Sequence, residues 1–282
     1  MKYEFIAKCG ELTEQIKDNL KAINYNQIKT LFRKKDIKVD GVRVSNAIFL
    51  NGGEKVEIFR PNKSKKKVET IFEDENVIVA VKPQGMETTI KDKTYLESES
   101  LEDCFNNAKA VHRLDKNTEG LVVLAKNQMS EKELIRIFRQ REIKKYYIAL
   151  TYGKFNKKED FLTNYAIKKD NKTIILKKEE KDCLIMKTYY KVLKEENNIS
   201  MLLIELHTGI THQIRAVLSS LGHFVLGDDK YGNKKINREF KIKKQCLCAT
   251  KLEFNVNNNS FLSYLNNVKL QIKPTFIDKY IK

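Results

Sequence analysis

The sequence predicts an α+β protein: a small helix-helix-sheet module at the N-terminus, then a larger mixed domain whose sheet is mainly antiparallel. Three observations lead there. Residues 12–35 carry apolar side chains at helical spacing, and 37–59 switch to alternation around turn residues. Beyond residue 68, short apolar runs of strand type dominate. Helical segments are too sparse among them for the regular β-α alternation of a doubly wound parallel sheet. A chain of 282 residues has room for one large domain or two unequal ones, at roughly 100–200 residues each.

In the first module, Ile16, Leu20 and Ile23 share one helical face, and Ile28, Leu31 and Phe32 share another. Asn24 followed by Gln27 has the spacing of a variant capping box between the two helices. In IKVDGVRV, Ile37, Val39, Val42 and Val44 alternate around Asp40-Gly41, a dipeptide suited to a hairpin turn. A further turn at Asn51-Gly52-Gly53 leads into the strand-like EKVEIF. The segment RPNKSKKK (60–67) holds a proline, four lysines and no apolar residue, so it reads as an exposed linker able to touch phosphate. The expected organisation is a module over 1–60, a basic linker over 61–68 and a large domain over 69–282.

The large domain opens with two strands, VETIF and NVIVAVKP. After HRLDKNTEG comes LVVLA, with the composition of a buried strand. Ser130 and Glu133 are spaced as a capping box that opens a helix, with Leu134 and Phe138 on one face. KKYYIALTYG, TYYKVL, ISMLLIEL and CLCATKLEF read as strands, and THQIRAVLSSLG as a helix. The KKDNK and KKEEK stretches read as solvated loops or strand ends.

Charge narrows the class of partner. Lys and Arg number 54 against 37 acidic residues, a formal net charge of +17. Residues 1–68 alone hold 16 basic and 8 acidic side chains, a net +8. Such an excess attracts polyanions, nucleic acid above all; a lysine-rich surface that keeps the protein in solution is the plainer alternative. No apolar run approaches the ~20 residues of a membrane span. MKYEFIAKCGELTEQ lacks the pattern of a signal peptide, so a cytoplasmic protein is expected. Five scattered cysteines give no disulfide framework. Cys246 and Cys248 fit alternate positions on a strand better than half a zinc site, and the four histidines lack metal-ligand spacing. No metal is expected, and no Gly-rich nucleotide fingerprint is present.

Two polar clusters stand beside apolar strands. His112-Arg113-Leu114-Asp115-Lys116-Asn117-Thr118-Glu119-Gly120 offers a carboxylate two residues from an arginine, on a turn-like segment. A catalytic loop and an ordinary salt-bridged turn both fit that description. His207 to Arg215 follows the MLLIEL strand and opens a helix, where an N-terminus and an arginine are natural anion sites. His212 within it fits a hydrogen-bonded structural histidine better than a base.

Together these segments resemble the RluA-type family of RNA pseudouridine synthases. HRLDKNTEGLVVLAK is similar to that family's H-R-L-D-x-x-T-S-G-x-x-x-x-A-K block. In KKYYIALTYG, Lys145, Tyr147 and Ala149 match its K-x-Y-x-A block. HTGITHQIRAVLSSLGHFVLGDDKYG is similar to T-G-R-x-H-Q-I-R and the L-G-H…G-D…Y-G that follows, and VKPQG (81–85) to the preceding K-P-x-G. The blocks stand in the family's order across residues 69–250. Residues 12–60 resemble an S-four-type RNA-binding domain, through Lys34-Lys35-Asp36 and IKVDGVRV; a packing role for this module remains the alternative.

The resemblance implies that uridines in structured RNA are isomerised after the base is flipped out of the stack, with no cofactor and no metal. It makes Asp115 the essential carboxylate, acting at the sugar as nucleophile or as base, with Arg215 as its partner. Arg113 would occupy the space that the base leaves. Tyr147 would pack on the flipped uracil and take the carbon-5 proton at the end, a bare packing role remaining open. His112, Thr118, His212 and Gln213 join the RNA-facing set, and Arg33, Lys34 and Lys35 do so in the N-terminal module. The implied partner is RNA, large-subunit ribosomal RNA ahead of transfer RNA, and the chain is expected to act as a monomer. A catalytically idle RNA-binding assembly factor would need the charge but not Asp115, Tyr147 and Arg215 together. A hydrolase using His112 or His212 would need a nucleophile elbow or metal spacing that is absent. Three departures bear on substrate choice: Glu119 for the usual serine, Ile210 where arginine is frequent, and Glu87-Thr88-Thr89 for a histidine-containing stretch.

Overall fold

The computed structural model describes residues 2–20, 23–59, 68–90 and 100–280. They form two compact units, a smaller one built on residues 2–59 and a larger one of residues 68–89 and 100–280. The basic linker expected at 61–68 lies outside the described residues except for Val68.

The smaller unit runs β1 (Lys2–Ile6), β2 (Cys9–Glu11), α1 (Leu12–Asn19), α2 (Tyr25–Lys34), β3 (Ile37–Val39), β4 (Val42–Val44), β5 (Phe49–Asn51) and β6 (Lys55–Phe59). The apolar faces anticipated for the helices bury Ile16, Leu20, Ile23, Ile28, Leu31 and Phe32 in one cluster with Ile37, Val56 and Ile58 of the sheet, and Leu12 joins them. The box between the helices forms: Gln27 N–H donates to Asn24 Oδ1 at 3.0 Å, and Asn24 N–H donates to Gln27 Oε1 at 2.8 Å. Asp40 and Gly41 take φ of +46° and +79°, the left-handed pair that a tight β3–β4 hairpin requires. The sheet order is β1-β6-β3-β4, all antiparallel, with β2 and β5 paired apart from it. β1 and β2 are not among the strands expected from the sequence. KYEFI is only half-buried and gains its ladder from β6, at the far end of the unit's chain.

The larger unit contains β7 (Thr70–Glu73), β8 (Val77–Lys82), β9 (Lys109–Ala110), β10 (Glu119–Ala125), α3 (Gln128–Arg139), β11 (Ile143–Tyr152), β12 (Glu159–Lys169) and β13 (Lys172–Leu176). It continues with β14 (Leu184–Glu196), β15 (Ile199–Leu206), α4 (Gln213–Ser220), α5 (Lys234–Glu239), β16 (Leu247–Phe254), β17 (Lys269–Gln271) and α6 (Ile277–Tyr280). Its sheet is mixed α+β in the expected sense, ordered β13-β12-β14-β15-β11-β16-β10-β8-β7, with β17 beside β16 and β9 beside β10. Every pairing but β10 with β16 is antiparallel.

LVVLA is the buried strand it was expected to be, because β10 is buried at all seven positions. Val122 and Leu124 point into one core with Tyr147, Ala149 and Ile204. Leu121, Val123 and Ala125 point into another with Leu134 and Ile137 of α3. Two-residue periodicity thus divides one strand between two apolar layers, and the first layer floors the polar loops described below.

One expectation is corrected here. The helix after β10 starts earlier than Ser130: Asn127 is the cap, its side chain accepting from Ser130 N–H at 2.9 Å, while Glu133 turns to Arg136. Asn127 wins because it has the extended backbone of a cap and an acceptor of the right reach. The KKDNK stretch is, as expected, strand ends and a solvated turn: it is the tip of a long hairpin, β12–β13, whose strands the sequence pattern does not reveal. Its lysines face solvent, so hydrophobic alternation is weak and the ladder to β14 supplies the order. Among the described residues, no helix is long and apolar enough to cross a membrane.

Candidate active site

Both polar clusters come to one cavity of about 270 Å³. Its lining includes Arg113, Asp115, Lys145, Tyr147, His212 and Arg215. Asp115 stands on the loop between β9 and β10, Lys145 and Tyr147 on β11, and Arg215 in the first turn of α4.

The Asp115 loop is held from several sides. Thr118 N–H donates to Asp115 O at 3.0 Å, and Gly85 N–H to Lys116 O at 2.8 Å. Thr88, fully buried, bonds both ends of Leu114 through its hydroxyl, giving to Leu114 O and accepting from Leu114 N–H at 3.1 Å each. The Lys82 ammonium, 0% exposed, donates to the carbonyls of Pro83, Met86 and Lys116 at 3.1, 2.8 and 3.2 Å. Burial pushes its pKa down to about 8. K-P-x-G and the departing E-T-T are therefore the cradle of the Asp115 loop. Glycine is required at 120: its φ is +127°, and a Cβ there would stand 2.3 Å from Ala249 O across the parallel β10–β16 junction.

A chain of charges sets the carboxylate. Arg215 Nη1 donates to Asp115 Oδ2 at 2.8 Å. Its Nε and Nη2 go to the two oxygens of Asp228 at 2.6 and 2.9 Å, a bidentate pair. Asp228 is 0% exposed, and its Oδ1 also accepts the N–H groups of Lys230 and Tyr231. Burial opposes its charge, but Arg215 and these N–H groups outweigh it and hold the carboxyl below its usual pKa. Burial likewise opposes the Arg215 charge, yet Asp228 and Asp115 raise its pKa above the ordinary arginine value.

His212 takes the left-handed φ of +58° at the start of α4. Its Nδ1 lies 3.1 Å from Tyr231 Oη, which already accepts Thr173 N–H at 2.7 Å, so the phenol proton is free to go to the ring. His212 Nε2 then faces Asp115 Oδ2 at 3.9 Å. Burial, chiefly, keeps the His212 pKa below the usual histidine value. Tyr147 is 7% exposed, and burial, with Asp115 adding to it, pushes its phenol pKa up.

The remaining expected residues divide. Arg113 is exposed at the cavity mouth and makes no hydrogen bond or ion pair among the described residues. It also borders a groove with Lys168, Lys169, Lys172 and Lys230. Gln213 and Thr118, taken from the sequence as RNA contacts, are spent inside the protein. Gln213, 2% exposed, holds Thr208, Ile210, Lys187 and Thr188 through four hydrogen bonds. Thr118 accepts from Gln245 Nε2 at 2.8 Å. His112 Nε2 accepts Val123 N–H at 3.0 Å, its ring lies 4.5 Å from that of Phe138, and burial pushes its pKa down to about 3. It is a neutral wall residue. Arg33, Lys34 and Lys35 are exposed at the end of α2 in the smaller unit.

Sequence reasoning assigned no role to Asp228, Tyr231 or Thr88. Asp228 and Tyr231 lie within the G-D…Y-G signal, which was visible, but their reach to Arg215 and His212 was not. Among the described residues, no group of three or more His, Cys, Asp or Glu stands where a metal ion could be held.

Comparison with known proteins follows the same lines. The model of a family described as RNA pseudouridylate synthase matches residues 76–220. The chain is 33% identical to ribosomal large subunit pseudouridine synthase C of Rickettsia conorii over 235 residues, 74% of this chain and 78% of that one. It is 29% identical to ribosomal large subunit pseudouridine synthase D of Borreliella burgdorferi, over 94% of this chain and 89% of that one. Its fold is similar to that of human RNA pseudouridylate synthase domain containing 1, with a TM-score of 0.64 at 21% identity, over 79% of this chain and 89% of that one.

Proposed function

This chain belongs to the RNA pseudouridylate synthase family and is an isomerase that converts uridine to pseudouridine in RNA; from that premise we propose that its target is large-subunit ribosomal RNA and that Asp115 opens the glycosidic bond. The names of the bacterial relatives and the basic character of the chain support the choice of RNA. A monomeric, cytoplasmic enzyme with an S-four-type RNA-binding module at its N-terminus accompanies this reading.

The observation that carries the site assignment is the Asp115–Arg215–Asp228 chain at the wall of a cavity that also holds Tyr147. Arg215 aims one carboxylate oxygen, and Asp228 anchors Arg215 from behind, so the reacting group is oriented before substrate arrives. Asp115 acts at the sugar, by attack on C1′ or by removing the C2′ proton; either needs a carboxylate free on one oxygen.

A stacked uridine has to leave the helix first, at a cost of a few kcal/mol. Arg113, free at the mouth, offers a planar guanidinium for the vacated stack. The adjoining Lys168, Lys169, Lys172 and Lys230 groove offers a path for the backbone. Tyr147 completes the cycle. Its raised pKa keeps it a phenol, so taking the carbon-5 proton requires its own proton to pass to a neighbouring acceptor in the same step.

The test is RNA carrying labelled uridine, assayed for pseudouridine. Asp115→Asn keeps shape and loses charge, so RNA affinity is expected to persist while product formation falls at least ~1,000-fold, on the order of losing a reacting group. Turnover by that variant near the wild-type rate would remove Asp115 from the chemistry.

A further inference from the structure

Detaching uracil leaves a charge that the residues assigned so far do not meet. When C1′–N1 breaks, the electron pair stays on N1 and spreads to O2 and O4. The free base is an anion until carbon 5 bonds to C1′. Arg215 already gives three of its five N–H donors, and its single charge, to the carboxylates of Asp115 and Asp228. Arg113 sits exposed at the mouth.

Lys145 is differently placed. It precedes Tyr147 by two residues on β11, so the two side chains leave the same face of the sheet. It lines the cavity with Asp115 and Arg215, and its Nζ is 3.6 Å from where a Cβ on Gly209 would stand. No hydrogen bond or ion pair reaches its ammonium among the described residues. Burial, with Arg141 adding to it, pulls its pKa down, and its own charge helps to keep His112 neutral. An unpaired ammonium drawn out of water is a cost to the folded chain, and one that a negatively charged ligand oxygen removes. Gly209 leaves the approach open.

We propose that Lys145 donates a hydrogen bond to a uracil carbonyl oxygen and stabilises the uracil anion while the base is detached. The proposal rests on the reading of this cavity as the place where uridine is isomerised. No proton changes hands at Lys145. The base accepts the electron pair of the broken bond, the carbon-5 pair returns it to C1′, and the carbon-5 proton leaves by Tyr147. Lysine acts as a preorganised cation facing charge that develops in the reaction.

The test uses full-length protein under single-turnover conditions, with Lys145→Met and Lys145→Arg, on RNA bearing uridine or 5-fluorouridine at the target. Lys145→Met is expected to bind RNA with unchanged Kd and salt slope and to isomerise uridine about 100-fold more slowly, the usual effect of losing one such donor. Lys145→Arg recovers part of the rate. The deficit of Lys145→Met shrinks for consumption of 5-fluorouridine, whose base is the more stable anion. Wild-type rates in Lys145→Met, or an equal deficit on both bases, would overturn the proposal. So would weakened RNA affinity with a salt slope flatter by about 0.7–0.9, which marks a phosphate contact instead. A wild-type protein that makes no pseudouridine would sink the parent reading rather than this one.

Discussion

Within the cavity, two residues that share a wall are expected to fail at different steps. Asp115 is the group proposed to act at the sugar, whereas Tyr147 is 7% exposed and burial raises the pKa of its phenol. Tyr147→Phe keeps the ring and removes the hydroxyl. Base flipping, detachment and rejoining are expected to survive, and loss of the carbon-5 proton to slow. With RNA tritiated at carbon 5 of uridine, tritium release should fall about 100-fold or more, in line with general-base contributions, while RNA of unchanged mass accumulates on the enzyme. Near-normal release would leave Tyr147 as a packing residue; no release and no trapped RNA would move it to an earlier step. Residue identity also explains the departures. Glu119, in place of serine, accepts both N–H and hydroxyl of Thr275 at 2.9 and 2.8 Å, tying the C-terminal segment to β10. Ile210 packs with the Ala166, Met186 and Val217 cluster instead of offering a charge.

For the elements, the decisive junction is between α4 and the loop before α5. Gly227 precedes Asp228 with φ of +75°, and a Cβ there would collide with Lys244 O at 1.9 Å. That close approach brings the Asp228 carboxylate under Arg215. The β12–β13 hairpin joins the same assembly, since Thr173 gives its N–H to Tyr231 Oη and its hydroxyl to Thr211 O. Asp228→Asn leaves the loop but strips Arg215 of its buried counter-charge. Breaking such a pair costs about 3–5 kcal/mol, and the Asn oxygen, still able to accept, recovers part of this. Urea unfolding is expected to show roughly 2–3 kcal/mol lower stability, together with slower turnover as Asp115 is deprived of its fixed partner. Unchanged stability in Asp228→Asn would mean that the Arg215 charge does not depend on Asp228.

On the scale of the whole molecule, charge is the organising quantity. The chain carries +17, and Arg33, Lys34 and Lys35 project from the end of α2 in the smaller unit. α2 and the Asp40–Gly41 hairpin pack over one apolar core, which leaves the basic end of α2 exposed at the unit's surface. If it holds RNA backbone, Arg33→Ala with Lys34→Ala should weaken binding to all RNA sequences alike. The slope of log affinity against log salt should flatten by about 0.7–0.9 for each phosphate that the module no longer neutralises, with the chemical step untouched at saturating RNA. Affinity and slope equal to wild type would deny the module a part in binding this RNA.

Much was legible before the fold was known, because it depends on local patterning. The capping box at Asn24, the Asp40-Gly41 turn, the helices of 12–35 and the all-apolar LVVLA run of β10 each follow from neighbouring residues, whose spacing imposes the period of a helix or a strand. Asp115, Tyr147 and Arg215 were legible as motif residues, and the fold brings Asp115 and Arg215, 100 positions apart, to 2.8 Å. Other features were settled by partners distant in sequence. β1, β12 and β13 owe their order to strands they pair with rather than to their own hydrophobicity. Gln213 and Thr118 look like ligand contacts in the sequence and are consumed by the backbone and side chains around them. The role of Asp228 and the solitude of Lys145 are of this second kind. A side chain's type is written in the sequence, but whether its charge is already answered depends on which groups the packed chain brings within hydrogen-bond reach.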